Sequence, residues 1–363
     1  VFIVALILSY YYLAILLLLA AGIFKLKRVK NESVQQRISV IIAARNEENN
    51  IANLLNCLTQ QNYPRDRFEV ILADDRSTDR TGESVEEFIN REENIRYVRI
   101  VPEEPGGKKR ALARGISAAR FPILAFTDAD CLPPSDWLSE INSYFTEDTD
   151  FLAGYSPLIR DKDTLLLQLK NLERLSIYAV MAGGMGWNLG LTCTARNMAY
   201  RKTLFEKVNG FSGLEDIPSG DDDLMIQRMT PCIRKMNFMF SSGSVVPSHD
   251  NQSAVAQVNL ETRRASKWRL YPLFIKIGTA LIFLYYLSFL LALLITIVGR
   301  LSLSSFIVLL SLKVLAELTI LIPFLLKIGK GNYLTIYPLA FILHLPYFLF
   351  FALKGTFGRY RWK

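Results

Sequence analysis

Histidine is nearly missing from this chain: His249 and His344 are the only two in 363 residues. Two are too few for a His-rich metal centre, and neither sits in a pattern that reads as a Ser-His-Asp arrangement. His344 lies within an apolar stretch, where a packed or interfacial role is expected. The four cysteines, Cys57, Cys131, Cys193 and Cys232, are far apart and form no C-x-x-C pair. That argues for reduced, mostly structural thiols. No G-x-G-x-x-G follows the first apolar run, and no G-x-x-x-x-G-K-S/T occurs anywhere. A dinucleotide-dependent dehydrogenase and a P-loop ATPase are thereby set aside. Internal repeats and low-complexity segments are absent, and residues 1–24 carry no charge.

What is present in excess is apolar surface. Hydrophobic residues make up 51% of the chain, with 22 Phe and 16 Tyr, and the excess sits at the two ends. At about 1.5 Å per residue, 1–24 can cross a hydrocarbon layer of about 30 Å. It has no basic stretch before it and no small-residue cleavage site after it, so an anchor is expected rather than a cleaved signal. Lys25, Lys27, Arg28 and Lys30 follow at once and mark the cytoplasmic side. Three more long apolar stretches close the chain, at 273–298, 302–326 and 333–353. Three spans there would put the tail, with Arg359, Arg361 and Lys363, outside, whereas its charge favours the cytoplasm. A last stretch made re-entrant by Pro338 and Pro346 would remove the conflict. The net charge of +8 sits largely beside these spans, where it meets anionic lipid rather than nucleic acid.

The expected organisation is therefore an N-terminal transmembrane helix at 1–24 and a cytoplasmic domain at 25–269. A membrane region at 270–353 and a basic tail at 354–363 complete it. The middle, roughly 245 residues, is long enough to bury a core as one domain. Within it, Ile38 to Ala44, Phe68 to Ala73, Ile95 to Val101 and Ile123 to Phe126 read as buried strands. Helical spacing separates them at about 48–60, around Val85, Phe88 and Ile89, and from Lys108 to Ala119. This alternation predicts an α/β fold with a mostly parallel sheet and right-handed crossovers. Residues 162–182 read as a further helix, and Gly183, Gly184, Gly186 and Gly190 as a glycine-rich loop.

Polar clusters follow the first, second and fourth strands, the edge where open α/β sheets bind ligands. The fourth strand stops at Thr127 and presents Asp128 and Asp130. Side chains of an extended chain alternate faces, so both carboxylates point the same way, as a hard divalent cation with a phosphate requires. Asp74 and Asp75 can accept hydrogen bonds from a nucleobase or ribose, or form an Asx-turn. Gly107-Lys108 opens a helix where backbone amides and a point charge can meet an anion; Lys109, Arg110 and Arg114 are expected on a solvated face. In Asp221-Asp222-Asp223 mutual repulsion raises at least one pKa, which suits a general base. The same acids suit a helix N-terminus, with Asp223 capping while Asp221 does chemistry. Arg263, Arg264, Lys267 and Trp268 can bind a diphosphate or anchor the chain at a membrane interface.

In order, these pieces resemble the membrane-bound family 2 glycosyltransferases of the GT-A fold. Val40–Glu47 is similar to that family's V-V-I-P-A-x-N-E, and Ala73–Thr81 to V-D-D-G-S-T-D-G-T. Gly107–Gly115 is similar to G-K-x-x-A-L-N-x-G, Asp128-Ala129-Asp130 to D-A-D, Ala195–Lys202 to G-x-N-x-A-Y-R-R, and Gly220–Leu224 to E-D-x-D-L. The resemblance runs from about 38 to 268. It implies a Rossmann-like catalytic domain that binds a nucleotide-diphosphate-sugar through Ala44, Asn46, Glu47, Asp74 or Asp75, Lys108 and Asp128. Asp128 and Asp130 would hold Mg²⁺ or Mn²⁺. Asp221 is the implied base, taking the acceptor proton and inverting the sugar, with Asp222 as rival because the family's Glu is Gly220 here. Arg196 and Asn197, with Arg263, Arg264, Lys267 and Trp268, are implied at the acceptor, the diphosphate or the interface.

The family's Q-x-x-R-W motif is degraded, which favours one transfer to a lipid acceptor over a processive polysaccharide synthase. The expected setting is an integral protein of the cell (inner) membrane. A non-enzymatic nucleotide-sugar-binding scaffold is the remaining alternative, against which intact Asp128, Asp130 and Asp221 argue.

Overall fold

The structure is a computed structural model that describes residues 1–27, 35–101, 105–217, 219–250 and 254–358. Arg28, Lys30, Arg359, Arg361 and Lys363, named above for topology, lie outside the described residues. In chain order, α1 (Phe2–Lys25) is followed by β1 (Ile38–Ala44), α2 (Ile51–Thr59), β2 (Phe68–Asp74), α3 (Thr81–Ile89) and β3 (Ile95–Arg99). Then come α4 (Lys108–Ala118), β4 (Ile123–Phe126), α5 (Trp137–Tyr144), β5 (Phe151–Gly154), β6 (Leu158–Ile159) and α6 (Leu165–Met185). β7 (Met198–Arg201), α7 (Lys202–Lys207), α8 (Asp223–Met229), β8 (Met236–Met239) and β9 (Ser248–His249) complete the sheet elements. The chain closes with α9 (Ala254–Ser266), α10 (Leu273–Ile297), α11 (Leu303–Lys327) and α12 (Tyr337–Phe357).

These elements form two compact units. One comprises Leu26–Asp163 and Asn188–Asp250; the other comprises Val1–Lys25, Thr164–Trp187 and Asn251–Lys363. The first is built on a seven-stranded sheet of order β3-β2-β1-β4-β7-β5-β8, with β7 antiparallel to both of its neighbours and the other pairs parallel. β1 is buried along its length, so alternate residues serve two faces. Val40 and Ile42 join Leu54, Leu55, Leu58 and Val85 from α2 and α3 in one core. Ile41 faces the other way, onto α4, where a Cβ at Gly115 would lie 3.0 Å from its Cγ2. β2 and β4 flank β1 on either side, so the strand order reverses at β1 and leaves a crevice at the carboxyl edge.

The second unit is helical. α1, α10, α11 and the stretch Gly331–Phe357 are each long and apolar enough to cross a membrane. In the last apolar stretch a 3-10 helix at Gly331–Ile336 passes into α12, with Pro338 at the start of α12 and Pro346 inside it. Lys327 Nζ donates to Ile23 O at 2.7 Å, so the C-terminal ends of α1 and α11 lie together. Several polar groups inside this bundle satisfy one another. Lys313 pairs with Glu317 one turn on, the Tyr337 hydroxyl donates to Glu317 at 2.9 Å, and the Tyr286 hydroxyl meets His344 Nδ1 at 3.1 Å. His344 is thus a packed residue.

Two expectations change here. Residues 164–187 and 251–269, read from composition as part of the middle domain, group with the apolar helices. Gly183 and Gly184 are not in a loop but in the last turns of α6. The reason is close packing: a Cβ on Gly183 would meet Leu19 O at 2.6 Å, and one on Gly186 would meet Gly22 O at 1.9 Å.

Candidate active site

The loops after β1 and β2 are stitched together at the carboxyl edge. Asp75 N donates to Ala44 O at 2.8 Å, Asn46 N to the Ser77 hydroxyl at 3.0 Å, and Thr78 N to Asn46 Oδ1 at 2.9 Å. Asn46 takes φ 55, a left-handed conformation that asparagine tolerates better than most residues. Asp74 is committed within the protein: its Oδ1 accepts from Ser77 N at 2.9 Å and its Oδ2 from the Tyr97 hydroxyl at 2.7 Å. That is the Asx-turn reading for Asp74. Asp75 accepts from Gly107 N at 2.9 Å and lies 3.7 Å from Arg45 and 3.6 Å from Arg76.

At the end of β4, Asp128 and Asp130 remain partly open, with side chains 26% and 30% exposed. Lys108 Nζ, from the first residue of α4, lies 2.9 Å from Asp128 Oδ1 and 2.8 Å from Asp221 Oδ2. Partial burial alone would lower the Lys108 pKa, but Asp128 and then Asp221 outweigh it and raise it above the ordinary lysine value. Arg196 approaches the same pair, with Nε 3.6 Å from Asp128 and Nη2 4.0 Å from Asp130. Glu47 feels this charge too: burial, then the negative charges of Asp130 and Asp128, raise its carboxyl above the usual range, against an opposing bond from Asn50. Lys108, Asp128, Asp130, Arg196 and Asp221 thus form one cluster, although their sequence positions are widely spread.

The donor set suits a hard cation. Asp128 and Asp130 offer only oxygen ligands. Their neighbour Cys131 is buried, and burial followed by the charges of Asp130 and Asp128 pushes its thiol pKa up, so it stays protonated. Among the described residues no group of three or more His, Cys, Asp or Glu side chains could hold a metal by itself. A cation here would complete its shell from phosphate oxygens and water.

Three site details differ from expectation. Asp222, not Asp223, is the N-cap of α8: its side chain accepts from Asp223 N at 2.7 Å. Gly220 takes φ 91, and a Cβ there would meet Leu224 Cδ1 at 2.4 Å, so the family's Glu at this position has no room. Lys109 is not on a solvated face. It is 3% exposed, and its Nζ donates to Ile217 O and, at 2.7 Å, to Ser219 O. Arg110 is half-buried and bonds Asp216 at 2.7 Å, while Arg114 is exposed. Nothing local in the sequence marks Lys109, because its partners lie about a hundred residues later.

Asn197 is fully buried. Its Oδ1 accepts from Trp137 Nε1 at 3.0 Å, and its Nδ2 donates to Tyr155 O at 3.0 Å and Ser244 O at 2.7 Å. With both ends engaged, it braces the turn that carries Arg196 instead of facing the cluster. Arg263, Arg264, Lys267 and Trp268 lie in the helical unit. Arg264 pairs with Glu261 at 3.0 Å, and Trp268 Nε1 donates to the Thr356 hydroxyl at 3.1 Å.

A mostly parallel sheet with helices on it and acidic groups gathered at its carboxyl edge defines the GT-A class of fold. Residues 39–208 match the family model described as Glycosyl transferase family 2, and the chain carries a family 2 glycosyltransferase domain. It is 31% identical over 179 residues to the "Probable glycosyltransferase YdaM" of Bacillus subtilis, covering 48% of this chain and 43% of that protein. It is 33% identical over 113 residues to the "Beta-monoglucosyldiacylglycerol synthase" of Synechocystis, covering 31% of this chain and 24% of that protein. The chain thus spans less than half the length of these relatives. In structure it is similar to the mannosyltransferase PcManGT of Pyrobaculum calidifontis, solved with GDP-Man and Mn²⁺. That likeness has a TM-score of 0.58 at 15% identity and covers 98% of this chain and 96% of that one.

Proposed function

We propose that this chain transfers a sugar from a nucleotide-diphosphate-sugar to the hydroxyl of a lipid-type acceptor in the membrane, at the cytoplasmic face, with inversion at the anomeric carbon. The observation that carries this reading is the single ammonium of Lys108 lying between Asp128, at the end of β4, and Asp221, at the start of α8. It brings a phosphate-binding charge and a candidate base carboxylate into one small site, the two functions that displacement of a diphosphate needs.

In this reading Asp74 or Asp75 binds the nucleoside. Gly107 and Lys108 receive the diphosphate at the N-terminal end of α4. Asp128 and Asp130 hold Mg²⁺ or Mn²⁺, which when bound supplies positive charge to the departing diphosphate. Asp221 Oδ accepts the proton of the acceptor hydroxyl as its oxygen forms the new bond to the anomeric carbon. The bond from that carbon to the diphosphate oxygen breaks on the opposite face, and the nucleoside diphosphate leaves with the bonding pair. Asp222 is less suited to this role because its carboxylate caps α8.

Support for a lipid acceptor comes from four helices apolar enough to span a membrane and from a relative named as a glucosyldiacylglycerol synthase. Support for the donor and metal comes from a neighbour solved with GDP-Man and Mn²⁺. The test is a screen of the purified chain against UDP- and GDP-sugars with extracted lipids, read by mass spectrometry. One sugar added per lipid, lost in EDTA and restored by Mn²⁺ or Mg²⁺, is the expected result. A ladder of products, or turnover indifferent to EDTA, contradicts it.

A further inference from the structure

We infer that Lys109 is a positioning residue: its buried ammonium clamps the loop that delivers Asp221 to the site. Among the described residues between α7 and α8, the chain reaches Asp221 through a succession of turns, with no helix or strand. Gly210, Gly213 and Gly220 within it all take positive φ (55, 74 and 91). Such a loop depends on its surroundings for its shape. Its beginning is held by α8, where Arg228 Nη1 donates to Gly210 O at 3.1 Å and to Ser212 O at 2.8 Å. Its end is held by α4, where Lys109 Nζ donates to Ile217 O and to Ser219 O at 2.7 Å.

The two lysines that open α4 divide the work. Lys108 is 31% exposed at its side chain and sits on carboxylates. Lys109 is 3% exposed and sits on main-chain carbonyls. Lys109 therefore acts through the backbone two residues before Asp221. Arg110 adds an outer strap, from Nη2 to Asp216 at 2.7 Å. Consecutive side chains of α4 thus fix both the carboxylate and the loop behind it. The helix start that faces the leaving group and the segment that carries the base then move as one piece. Charged donors on carbonyls are stronger than neutral ones, and reaction rates fall steeply when a reacting group is misplaced by an ångström.

The inference rests on Asp221 being the base, and the test separates the two. The full chain in lipid nanodiscs is assayed with UDP-glucose and GDP-mannose as donor probes, comparing Lys109→Met, Lys109→Arg and Asp221→Asn. Lys109→Met is expected to lower kcat roughly 30- to 300-fold, with donor KM and nucleoside diphosphate affinity within about threefold. Amide exchange across 214–221 should quicken at least about tenfold while β1 and β4 stay protected. Lys109→Arg, which keeps a donor, should recover at least about a tenth of the parental rate. If Lys109→Met does not fold, Lys109→Gln is read by the same criteria. Unchanged exchange across the loop, an unchanged kcat, or kcat and nucleotide affinity falling together, overturns the clamp. Parental turnover by Asp221→Asn would instead remove the base, and the exchange measurement would still judge the clamp.

Discussion

Lys108 Nζ and Asp221 Oδ2 stand 2.8 Å apart, and the same ammonium is 2.9 Å from Asp128 Oδ1. In the proposed reading, a diphosphate arriving at α4 would compete for the cation that now pairs with both carboxylates. It would draw Lys108 away from Asp221 and leave that carboxylate to accept a proton.

Lys108→Met removes this charge without shortening the stem. It should weaken nucleoside diphosphate binding by roughly 10- to 100-fold, the worth of a charge-assisted contact, and lower kcat as well. Calorimetric titration with UDP and GDP checks the first effect, and donor turnover the second. Affinity equal to the parent's would remove Lys108 from the phosphate site.

Asn197→Ala should act on stability before it acts on chemistry. It strips partners from Trp137 Nε1 and from the carbonyls of Tyr155 and Ser244, all in the interior. Leaving such groups unpaired costs about 3 kcal/mol. A lower midpoint of thermal unfolding is expected, while nucleotide affinity below that midpoint is nearly unchanged. A loss of affinity with no loss of stability would return Asn197 to the list of ligand-binding residues.

Restoring the family's glutamate by Gly220→Glu should harm the protein. The left-handed φ of 91 and the 2.4 Å approach to Leu224 both oppose a side chain. Because Gly220 adjoins Asp221, a fall in kcat of at least about tenfold is expected. Activity at or above the parental level would mean that the loop adopts another shape.

Glu69 gives the sheet unit an acid limit. Its fully buried carboxylate accepts from Ser39, from Arg120 N and Nε, and from Arg96. Burial alone would raise its pKa, but these bonds outweigh it and hold the carboxyl below its ordinary value. As pH falls, the unfolded chain binds the proton first. The contribution is full above the unfolded value of about 4.3 and is lost as pH drops through the folded one. Melting temperatures measured by tryptophan fluorescence should therefore fall below about pH 4 in the parent. Glu69→Gln should be less stable at neutral pH by about 3 kcal/mol and less sensitive to acid. Parallel pH curves for the two proteins would contradict this.

Much of this architecture is written locally. Ile38–Ala44, Phe68–Asp74 and Ile123–Phe126 are short apolar runs stopped by polar residues, and they are the three strands whose ends build the site. Asp128 and Asp130 follow β4 in a turn, not in the strand itself, so the expected strand alternation is not what places them. What was not legible depends on distant partners. Lys109 reads as one of several surface cations until Ile217 O and Ser219 O are placed around it. Asn197 reads as a polar site residue until Trp137, Tyr155 and Ser244 enclose it. Gly183 and Gly186 look like loop glycines because their close neighbours, Leu19 and Gly22, belong to the N-terminal helix. The order of β5, β7 and β8 escaped for the same reason: none of the three is next to its sequence neighbour in the sheet.

The most direct measurement is transfer and nucleotide binding by Asp221→Asn, side by side, on the full chain with Mn²⁺ present. Asparagine keeps the size of the side chain and removes its basicity. The account predicts transfer reduced by at least about a thousandfold, with UDP or GDP affinity within about threefold of the parent. Transfer at the parental rate with binding intact would contradict it, and would move the base away from Asp221.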